Sequence, residues 1–186
     1  EDEVIVVDNG SSDGLMELMA AEMPQARLES PGVNLGFAAA VNRGSAVAGG
    51  ELIVILNPDA KPEAGWGEAI RRPLVEHPDW TAWMALVTFR EGDRSLVNTL
   101  GNPVHFTGIV WAGGYGTEVG EAGSAREVPT ASGACLAIRR TDWDALDGFP
   151  EDFFLYHEDV DLSVRIRSRG GRVGLEPTAV VDHNYE

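Results

Sequence analysis

The chain has 186 residues, with 14 Lys and Arg against 30 Asp and Glu, and therefore a formal net charge of −16 at pH 7. A surface this acidic argues against nucleic acid as a partner, because a phosphate backbone is bound through basic patches. The hydrophobic fraction of 44% is ordinary for a globular domain, and no apolar run reaches the roughly 18 residues of a transmembrane helix. Cys135 is the single cysteine, so no internal disulfide can form, and we expect one domain in a reducing compartment.

The first part of the chain alternates between strand-like and helix-like segments. Continuous apolar runs and helical spacing predict strands over residues 4–7, 27–29 and 51–56, and helices over 15–23, 38–48 and 63–76. Pro73 can end the last of these helices early. This alternation is typical of the βαβ units of an α/β sheet.

The second part of the chain has a different pattern. Short β-prone runs at 83–89, 104–111 and 134–138 surround a glycine-rich stretch at 113–123, which we predict to be a mobile loop. Further helices are predicted over 141–146 and 160–169, and two closing strands over 173–175 and 179–181. No internal repeat is present, so the sequence predicts a single domain over residues 1–186.

Polar residues follow the first predicted strand, where an open α/β sheet binds its ligands. Asp8 can accept hydrogen bonds from a base or a ribose, and Asn9 can both donate and accept them. The backbone amides around Gly10 and Ser11 can point into the same crevice. A turn followed by a helix N-cap explains these residues equally well.

Asp59 follows Asn57 and Pro58 at the end of another predicted strand. A lone carboxylate in this position can hold Mg²⁺ or Mn²⁺ when substrate phosphates supply the other oxygens. His183 follows the last predicted strand, and an imidazole suits Mn²⁺ as an added ligand. The alternatives are that Asn-Pro-Asp is a simple turn and that His183, like most lone histidines, is no ligand.

Glu158, Asp159 and Asp161 follow an aromatic run at 153–156 and begin a predicted helix. A general base needs a site that tunes its pKa, and the aromatic run can supply a partly desolvated wall. The alternative is an acidic first helical turn, which the helix dipole favours without any catalytic role.

Taken together and in order, five segments resemble a family 2-type glycosyltransferase with the GT-A fold, in wording closest to the bacterial rhamnosyltransferase-like branch. They are VVDNGSSDG at 6–14, NLGFAAAVNRG at 34–44, LNPDA at 56–60, SGACLAIRR at 132–140 and GFPEDFFLYHEDVDL at 148–162. The resemblance covers nearly the whole chain. It implies an α/β, GT-A-like (Rossmann-like) fold with a mixed, mostly parallel sheet flanked by helices, and the usual first strand is expected before Val4, where it is absent.

The resemblance implies an inverting transfer of a sugar, with rhamnose a candidate, from a dTDP- or UDP-linked donor to a hydroxyl of a glycan or lipid-linked acceptor. Residues 1–80 would be the nucleotide-binding half and 81–186 the acceptor and catalytic half. Asp159 would be the base and Glu158 would support it, while Mn²⁺ or Mg²⁺ on Asp59 and His183 would neutralise the leaving diphosphate. The other implied contacts are Asp8, Asn9, Ser11, Asn34, Gly36, Asn42 and Asn57 on the donor side, and Ser132, Gly133 and Ala134 on the sugar or acceptor side.

One departure and several alternatives accompany this resemblance. Asn57 stands where the family has the first Asp of its Asp-x-Asp motif, which removes one anionic ligand. A dinucleotide oxidoreductase would need Gly-x-Gly-x-x-Gly after the first strand, which this chain lacks. The main alternative is a non-catalytic glycosyltransferase-like domain that binds a nucleotide or a protein. The branch implies a cytoplasmic protein, compatible with peripheral association at the inner membrane face, and the sequence specifies no oligomeric state.

Overall fold

A computed structural model describes residues 2–183 of the chain. Its helices are α1 (Leu15–Glu22), α2 (Phe37–Val47), α3 (Trp66–Ala69), α4 (Pro73–Glu76), α5 (Arg140–Leu146) and α6 (Glu158–Ser168), with a 3-10 turn at Val119–Glu121. Its strands are β1 (Ile5–Val7), β2 (Arg27–Glu29), β3 (Leu52–Leu56), β4 (Ala60–Pro62), β5 (Trp80–Glu91), β6 (Arg94–Thr99), β7 (Arg126–Glu127), β8 (Cys135–Arg139) and β9 (Arg172–His183).

The strands form two sheets. β1 and β2 pair in parallel, and the other seven form a mixed sheet of order β3-β8-β5-β9-β4, with β6 added to β5 and β7 added to β9. β8 is antiparallel to both β3 and β5, and β9 is parallel to β5, so β3, β5 and β9 run in one direction. The predicted α/β fold with a mixed sheet flanked by helices is confirmed. The sheet is not mostly parallel, however: β4, β6, β7 and β8 run opposite to β3, β5 and β9, and within the described residues β5 and β9 form its one parallel ladder.

Several predicted elements change their extent. The helix predicted over 63–76 is two short helices, and Pro73 begins the second of them, at a position where a missing N–H costs little. The two predicted closing strands are one strand, β9. The glycine-rich stretch lies hydrogen-bonded along β6, with Leu100 N donating to Gly113 O at 2.8 Å and Gly116 N donating to Val97 O at 2.9 Å. It is therefore a tied turn in this structure rather than a free loop.

The core surrounds β5, whose central side chains are fully buried between the helices. Trp83 is 0% exposed, and its indole Nε1 donates to Ile70 O at 2.7 Å, so the one polar atom of this side chain is satisfied. Leu136 from β8, Leu175 from β9 and Leu162 from α6 pack into the same core. This rigid centre fixes the strand ends at which the predicted site residues lie.

Helix α2 joins the two sheets. Ala38 near its start is buried in the main core, whereas Gly44 lies against β1, where an added Cβ would be 3.0 Å from Val7 Cγ2. Within residues 2–183, β1 pairs only with β2 and β3 only with β8, so each keeps one unpaired edge. Over the same residues, none of the helices has both the length and the apolar composition needed to cross a bilayer.

Candidate active site

Asp8 is buried at the carboxyl end of β1, as the strand-end argument predicts. Its Oδ1 accepts a hydrogen bond from Ser11 N at 2.8 Å, and its Oδ2 accepts one from Ser30 Oγ at 3.1 Å. The hydrogen bond from the Ser11 amide is the main reason why the pKa of Asp8 is lowered, with smaller contributions from the hydroxyls of Ser11 and Ser30. Asp8 is thus ionised and shapes the turn that follows β1. Ser30 is a partner that no sequence motif indicated.

Asn9 connects the loop after β1 to the loop after β2. Its Oδ1 accepts from Leu35 N at 2.8 Å, and its Nδ2 donates to Asn34 Oδ1 at 3.0 Å and to Gly36 O at 3.1 Å. Asn34 Oδ1 also accepts from Gly36 N at 2.9 Å. These amides hold the two loops together, so Asn9 and Asn34 position the predicted donor site; direct donor contact by either stays a prediction.

Gly36 allows α2 to begin against the loop that precedes α6. Gly36 has φ +85, and an added Cβ would lie 2.6 Å from Phe154 O. Phe37 N donates to that same carbonyl oxygen at 2.8 Å. Only glycine fits this combination of a left-handed backbone and a close approach.

Asn42 binds the 148–151 turn through both ends of its side-chain amide. Its Nδ2 donates to Phe149 O at 2.8 Å, and its Oδ1 accepts from Phe149 N at 2.9 Å. Asn42 also lines a cavity of about 860 Å³ with Arg43, Arg140 and Trp143, a cavity that includes neither Asp59 nor Asp159. Direct donor contact by Asn42 stays a prediction.

Asp159 is half-buried in the first turn of α6 and is held by two backbone amides. Its Oδ2 accepts from Gly133 N at 2.8 Å, and its Oδ1 accepts from Val160 N at 2.7 Å. Burial raises the pKa of Asp159, and these two hydrogen bonds only partly oppose that shift. Each carboxylate oxygen keeps a further lone pair for a proton. The arrangement suits a general base with fixed orientation and enhanced basicity.

Glu158 is 5% exposed beside Asp159. Burial is the main reason why the pKa of Glu158 is raised, and the charge of Asp159 raises it further. Across the described chain, Glu158 Oε2 finds no hydrogen-bond partner. A buried carboxylate with one unsatisfied oxygen is costly when ionised, so Glu158 favours the protonated form more than an exposed carboxylate does.

Tyr156 and His157 carry a backbone feature that the sequence did not indicate. They have φ values of 70 and 72, so two consecutive residues other than glycine lie in the left-handed region directly before Glu158. Such conformations cost on the order of 1 kcal/mol or more each, and they concentrate at functional sites. Phe154 and Tyr156 are also exposed, at 57% and 72%, and flank the start of α6.

The predicted sugar-side segment lies between the two halves of the site. Ala134 O accepts from Asn57 N at 3.0 Å, while Gly133 N is bound to Asp159. Ser132 Oγ accepts from Ala134 N at 3.3 Å and closes the turn. This segment therefore holds the end of β3 and the start of α6 next to each other.

Asp59 and His183 meet at the predicted metal position. His183 Nε2 lies 2.9 Å from Asp59 Oδ1 and 3.5 Å from Asn57 Nδ2. Asn57 Oδ1 is buried and has no hydrogen-bond partner among residues 2–183. One carboxylate oxygen, one imidazole nitrogen and one free amide oxygen fit a hard or borderline divalent cation. Among residues 2–183, no group of three or more His, Cys, Asp and Glu is placed to hold a metal, so Asp59 and His183 have no third such side chain beside them there.

Hydrogen bonds, together with the short stretches of chain between them, connect several of the predicted residues, although these come from distant parts of the chain. The successive pairs are Asn9 with Gly36, Phe37 with Phe154, Gly133 with Asp159, Ala134 with Asn57, and His183 with Asp59. Both predicted halves of the domain contribute to these connections.

Comparisons with known proteins identify the family and the fold. Residues 1–146 match the model of glycosyl transferase family 2, and the chain belongs to that family. It is 30% identical over 208 residues to the N-acetylglucosaminyl-diphospho-decaprenol L-rhamnosyltransferase of Mycobacterium tuberculosis, from strains CDC 1551 / Oshkosh and ATCC 25618 / H37Rv alike. The alignments cover 97% of this chain and 66% of those proteins, so the chain spans slightly less than two thirds of the length of these relatives. The predicted family is confirmed, and the likeness to these rhamnosyltransferases is consistent with the predicted branch.

Solved structures share the fold at low sequence identity. GalNAc-T7 with UDP, GalNAc and Mn²⁺ has a TM-score of 0.79 at 14% identity, covering 99% of this chain and 38% of that one. TarS 1-349 of S. aureus in complex with UDP has a TM-score of 0.71 at 16% identity, over 97% and 50%. A mannosyltransferase from Pyrobaculum calidifontis with GDP-Man and Mn²⁺ scores 0.64 at 21% identity, over 97% and 47%. The predicted GT-A fold is confirmed.

Proposed function

We propose that this chain is an inverting glycosyltransferase that moves a sugar from a nucleotide-diphosphate sugar to an acceptor hydroxyl. The observation that supports this most directly is the setting of Asp159, a half-buried carboxylate with a raised pKa, clamped by Gly133 N beside the turn that holds Asn57. An acidic first helical turn without a catalytic role would not require a hydrogen bond from the backbone of another segment. The family and the fold agree with the proposal.

The transfer follows from the position of Asp159. Its carboxylate takes the proton of the acceptor hydroxyl, and the oxygen attacks the anomeric carbon from the face opposite the diphosphate. The bond from the anomeric carbon to the phosphate oxygen breaks, and its electron pair leaves with the nucleotide diphosphate. One displacement at this carbon inverts its configuration. The raised pKa of Asp159 makes it a stronger base than an ordinary surface carboxylate.

Asp59 and His183, together with the free amide oxygen of Asn57, would hold a Mn²⁺ or Mg²⁺ ion. When bound, such an ion supplies positive charge that stabilises the departing diphosphate. Asp8 and Ser11, in the turn after β1, would bind the nucleoside, with Asn9 and Asn34 fixing that turn. Residues 1–80 thus serve mainly the nucleotide, and 81–186 mainly the acceptor and the chemistry.

The names of the relatives suggest the finer assignment. The Mycobacterium tuberculosis proteins are named as L-rhamnosyltransferases of N-acetylglucosaminyl-diphospho-decaprenol. By this likeness we propose a dTDP- or UDP-linked rhamnose donor and a lipid-linked acceptor for this chain. The corresponding place of action is the cytoplasmic face of the membrane, with the protein bound peripherally.

Calorimetric titration with UDP, dTDP and GDP, each with and without Mn²⁺, tests donor binding. Asp159→Asn should then lower transfer by at least about 100-fold, the usual contribution of a general base, while nucleotide affinity stays within about threefold. Asp161→Asn is the matched control, because Asp161 lies in the same helical turn and pairs with Arg165 at 2.6 Å. It should keep its transfer rate.

Two results would contradict the proposal. If Asp159→Asn retained the transfer rate of Asp161→Asn, Asp159 would not be the base. Metal-dependent nucleotide binding without turnover of any sugar nucleotide would instead favour the non-catalytic alternative, for which Asn57 in place of the first Asp of the Asp-x-Asp motif is an argument.

A further inference from the structure

One segment of this acidic protein carries no formal charge. Residues 95–117 contain no Asp, Glu, Lys or Arg over 23 positions, although 24% of all residues in the chain are charged. No other uncharged run in the sequence is as long. None of these residues belongs to the candidate active site, so catalysis does not explain their composition.

This uncharged segment contains a hairpin whose backbone is internally bonded. Val104 and Val110 form an antiparallel bridge, and His105 N donates to Ile109 O at 2.8 Å. Gly108 N donates to His105 O at 2.8 Å and closes the tip. Because these backbone groups are satisfied, the hairpin presents mainly side chains to its surroundings.

The hairpin and the turn after it expose large apolar side chains. Phe106 at the tip is 92% exposed, Ile109 63%, Trp111 52% and Tyr115 64%. Residues 104–109 are all exposed, so the tip projects from the protein surface. Phe106, Ile109 and Trp111 belong to the hairpin, whereas Tyr115 stacks on Phe89 beside it, with ring centroids 5.1 Å apart. A group of exposed apolar side chains of this kind marks an interaction site.

We propose that this hairpin, residues 103–111 together with Tyr115, docks on the lipid–water interface of a bilayer. Phe106 and Ile109 enter the boundary between headgroups and acyl chains. Trp111 and Tyr115 lie at headgroup level, where amphipathic aromatic rings concentrate in membrane proteins. Binding of this kind grows with the apolar area that is buried.

Because this segment carries no formal charge, electrostatic repulsion opposes its approach to an anionic bilayer less than it opposes the approach of the acidic surface. The net charge of −16 repels anionic lipid, but that repulsion fades over a Debye length of about 8 Å at physiological ionic strength. Three extended residues from Val104 to the tip span about 10 Å. An uncharged tip of this length can reach the headgroups while the acidic surface stays largely screened.

The exposed area argues against a second copy or a protein partner. Four aromatic or aliphatic side chains with these exposures offer on the order of 500 Å². A stable protein–protein interface buries roughly 800 Å² on each partner, with complementary polar groups at its rim. A narrow, projecting and uncharged tip lacks that rim but suits insertion among lipid headgroups.

The hairpin is connected to the candidate active site by short contacts. Asn102 N donates to Thr130 O at 3.0 Å, and the Thr130 hydroxyl donates to Asn102 O at 2.7 Å. Thr130 is 1% exposed and lies three residues before Gly133, whose amide holds Asp159. Docking of the hairpin would therefore fix the distance of Asp159 from the bilayer surface. The catalytic meaning of this distance rests on the proposed function, whereas the docking itself does not.

Flotation with phosphatidylcholine vesicles that contain no glycosyl acceptor tests the docking separately from transfer. We expect the wild-type chain to float, and Phe106→Ser combined with Ile109→Ser to lower its partition coefficient at least tenfold. The matched control combines Leu18→Ser with Val75→Ser, which removes two other exposed aliphatic side chains, at 58% and 84% exposure, and should bind like the wild type. Replacing part of the lipid by phosphatidylglycerol should weaken binding at low salt, because the protein is acidic.

Fluorescence and sedimentation complete the test. Brominated lipid should quench part of the tryptophan emission, and Trp111→Phe should remove that quenching. Failure of the wild type to bind any vesicle, or equal binding by both double variants, would overturn the proposal. Sedimentation could instead show a dimer in lipid-free solution that is lost only in the Phe106→Ser, Ile109→Ser variant. That result would also overturn the proposal, because the hairpin would then bind a second copy of the chain.

Discussion

Gly36→Ala tests whether the close approach of α2 to Phe154 holds the two halves of the site together. A Cβ at Gly36 would lie 2.6 Å from Phe154 O and 2.8 Å from Phe154 Cδ2, in a backbone with φ +85. With φ 85 and ψ 167, Gly36 lies in a region that is essentially restricted to glycine and costs about 1–3 kcal/mol for a residue with a side chain, and overpacking adds about 1–3 kcal/mol. The free energy of unfolding should therefore fall by roughly 2–6 kcal/mol.

Gly32→Ala is the control for a glycine with positive φ but no close contact. Gly32 has φ +77, but an added Cβ there meets no atom within 4 Å. This variant should lose only a conformational part, about 1–2 kcal/mol. The larger loss in Gly36→Ala then reports the steric contact with Phe154 together with the greater backbone strain at Gly36.

Urea unfolding followed by circular dichroism measures both losses, and transfer rates measure the functional effect. Displacing the Phe154 carbonyl would shift the loop that leads into Glu158 and Asp159, so Gly36→Ala should also lower kcat about tenfold or more. Equal losses of stability and equal rates in the two variants would refute the argument that this contact positions the site.

Three further predictions concern titration, metal and reactivity. Burial raises the pKa of Asp159, so the native state binds that proton more tightly than the unfolded chain and loses stability as pH rises through the native pKa. Asp159→Asn should therefore raise Tm at about pH 8 and lose this advantage toward about pH 4, and a pH-independent difference would contradict the assignment. Asp59→Ala should remove the Mn²⁺ dependence of nucleotide binding in calorimetry, and an unchanged dependence would exclude Asp59 as a ligand. Burial raises the pKa of Cys135 to about 12, so iodoacetamide should label it only in urea, and fast labelling of the native protein would contradict its burial.

Local sequence patterns predicted the positions at which the site is built. Polar residues after an apolar run marked the ends of β1 and β3, and the strand-end rule then placed Asp8 and Asp59 at the site. The acidic cluster before a helical stretch likewise located the start of α6. The predicted strand ends and the predicted helix start are confirmed, because each depends on residues that are close in sequence.

Side-chain partners across the fold could not be predicted in the same way. The side-chain amide of an asparagine can bind a donor nucleotide or a backbone carbonyl equally well. The sequence therefore could not indicate that Asn42 binds Phe149, 107 positions away. Nor does any local signal indicate the left-handed conformations of Tyr156 and His157, since surrounding packing imposes them.

Strand β9 shows a further limit of local patterns. Glu176 and Pro177 interrupt the apolar pattern, so the sequence predicted two strands instead of one. The register between β5 and β9 shifts between Ala85 and Leu86, opposite this interruption. Pro177 therefore lies at an irregular position of the ladder, where its missing N–H is tolerated. Glu176 is 2% exposed, and its carboxylate accepts from Thr178 N at 3.0 Å, which satisfies it within the strand.

The unpaired edges of β1 and β3 affect the order in which parts of the protein unfold locally. A parallel pair of three-residue strands is marginal alone, and it depends on the packing of α2 for its place. Backbone amides of β1 should therefore exchange with solvent deuterium well before those of β5, through a local opening that leaves the seven-stranded sheet intact. A nucleotide that contacts both the turn after β1 and the end of β3 would tie the two sheets together, and slower exchange in β1 would report its binding.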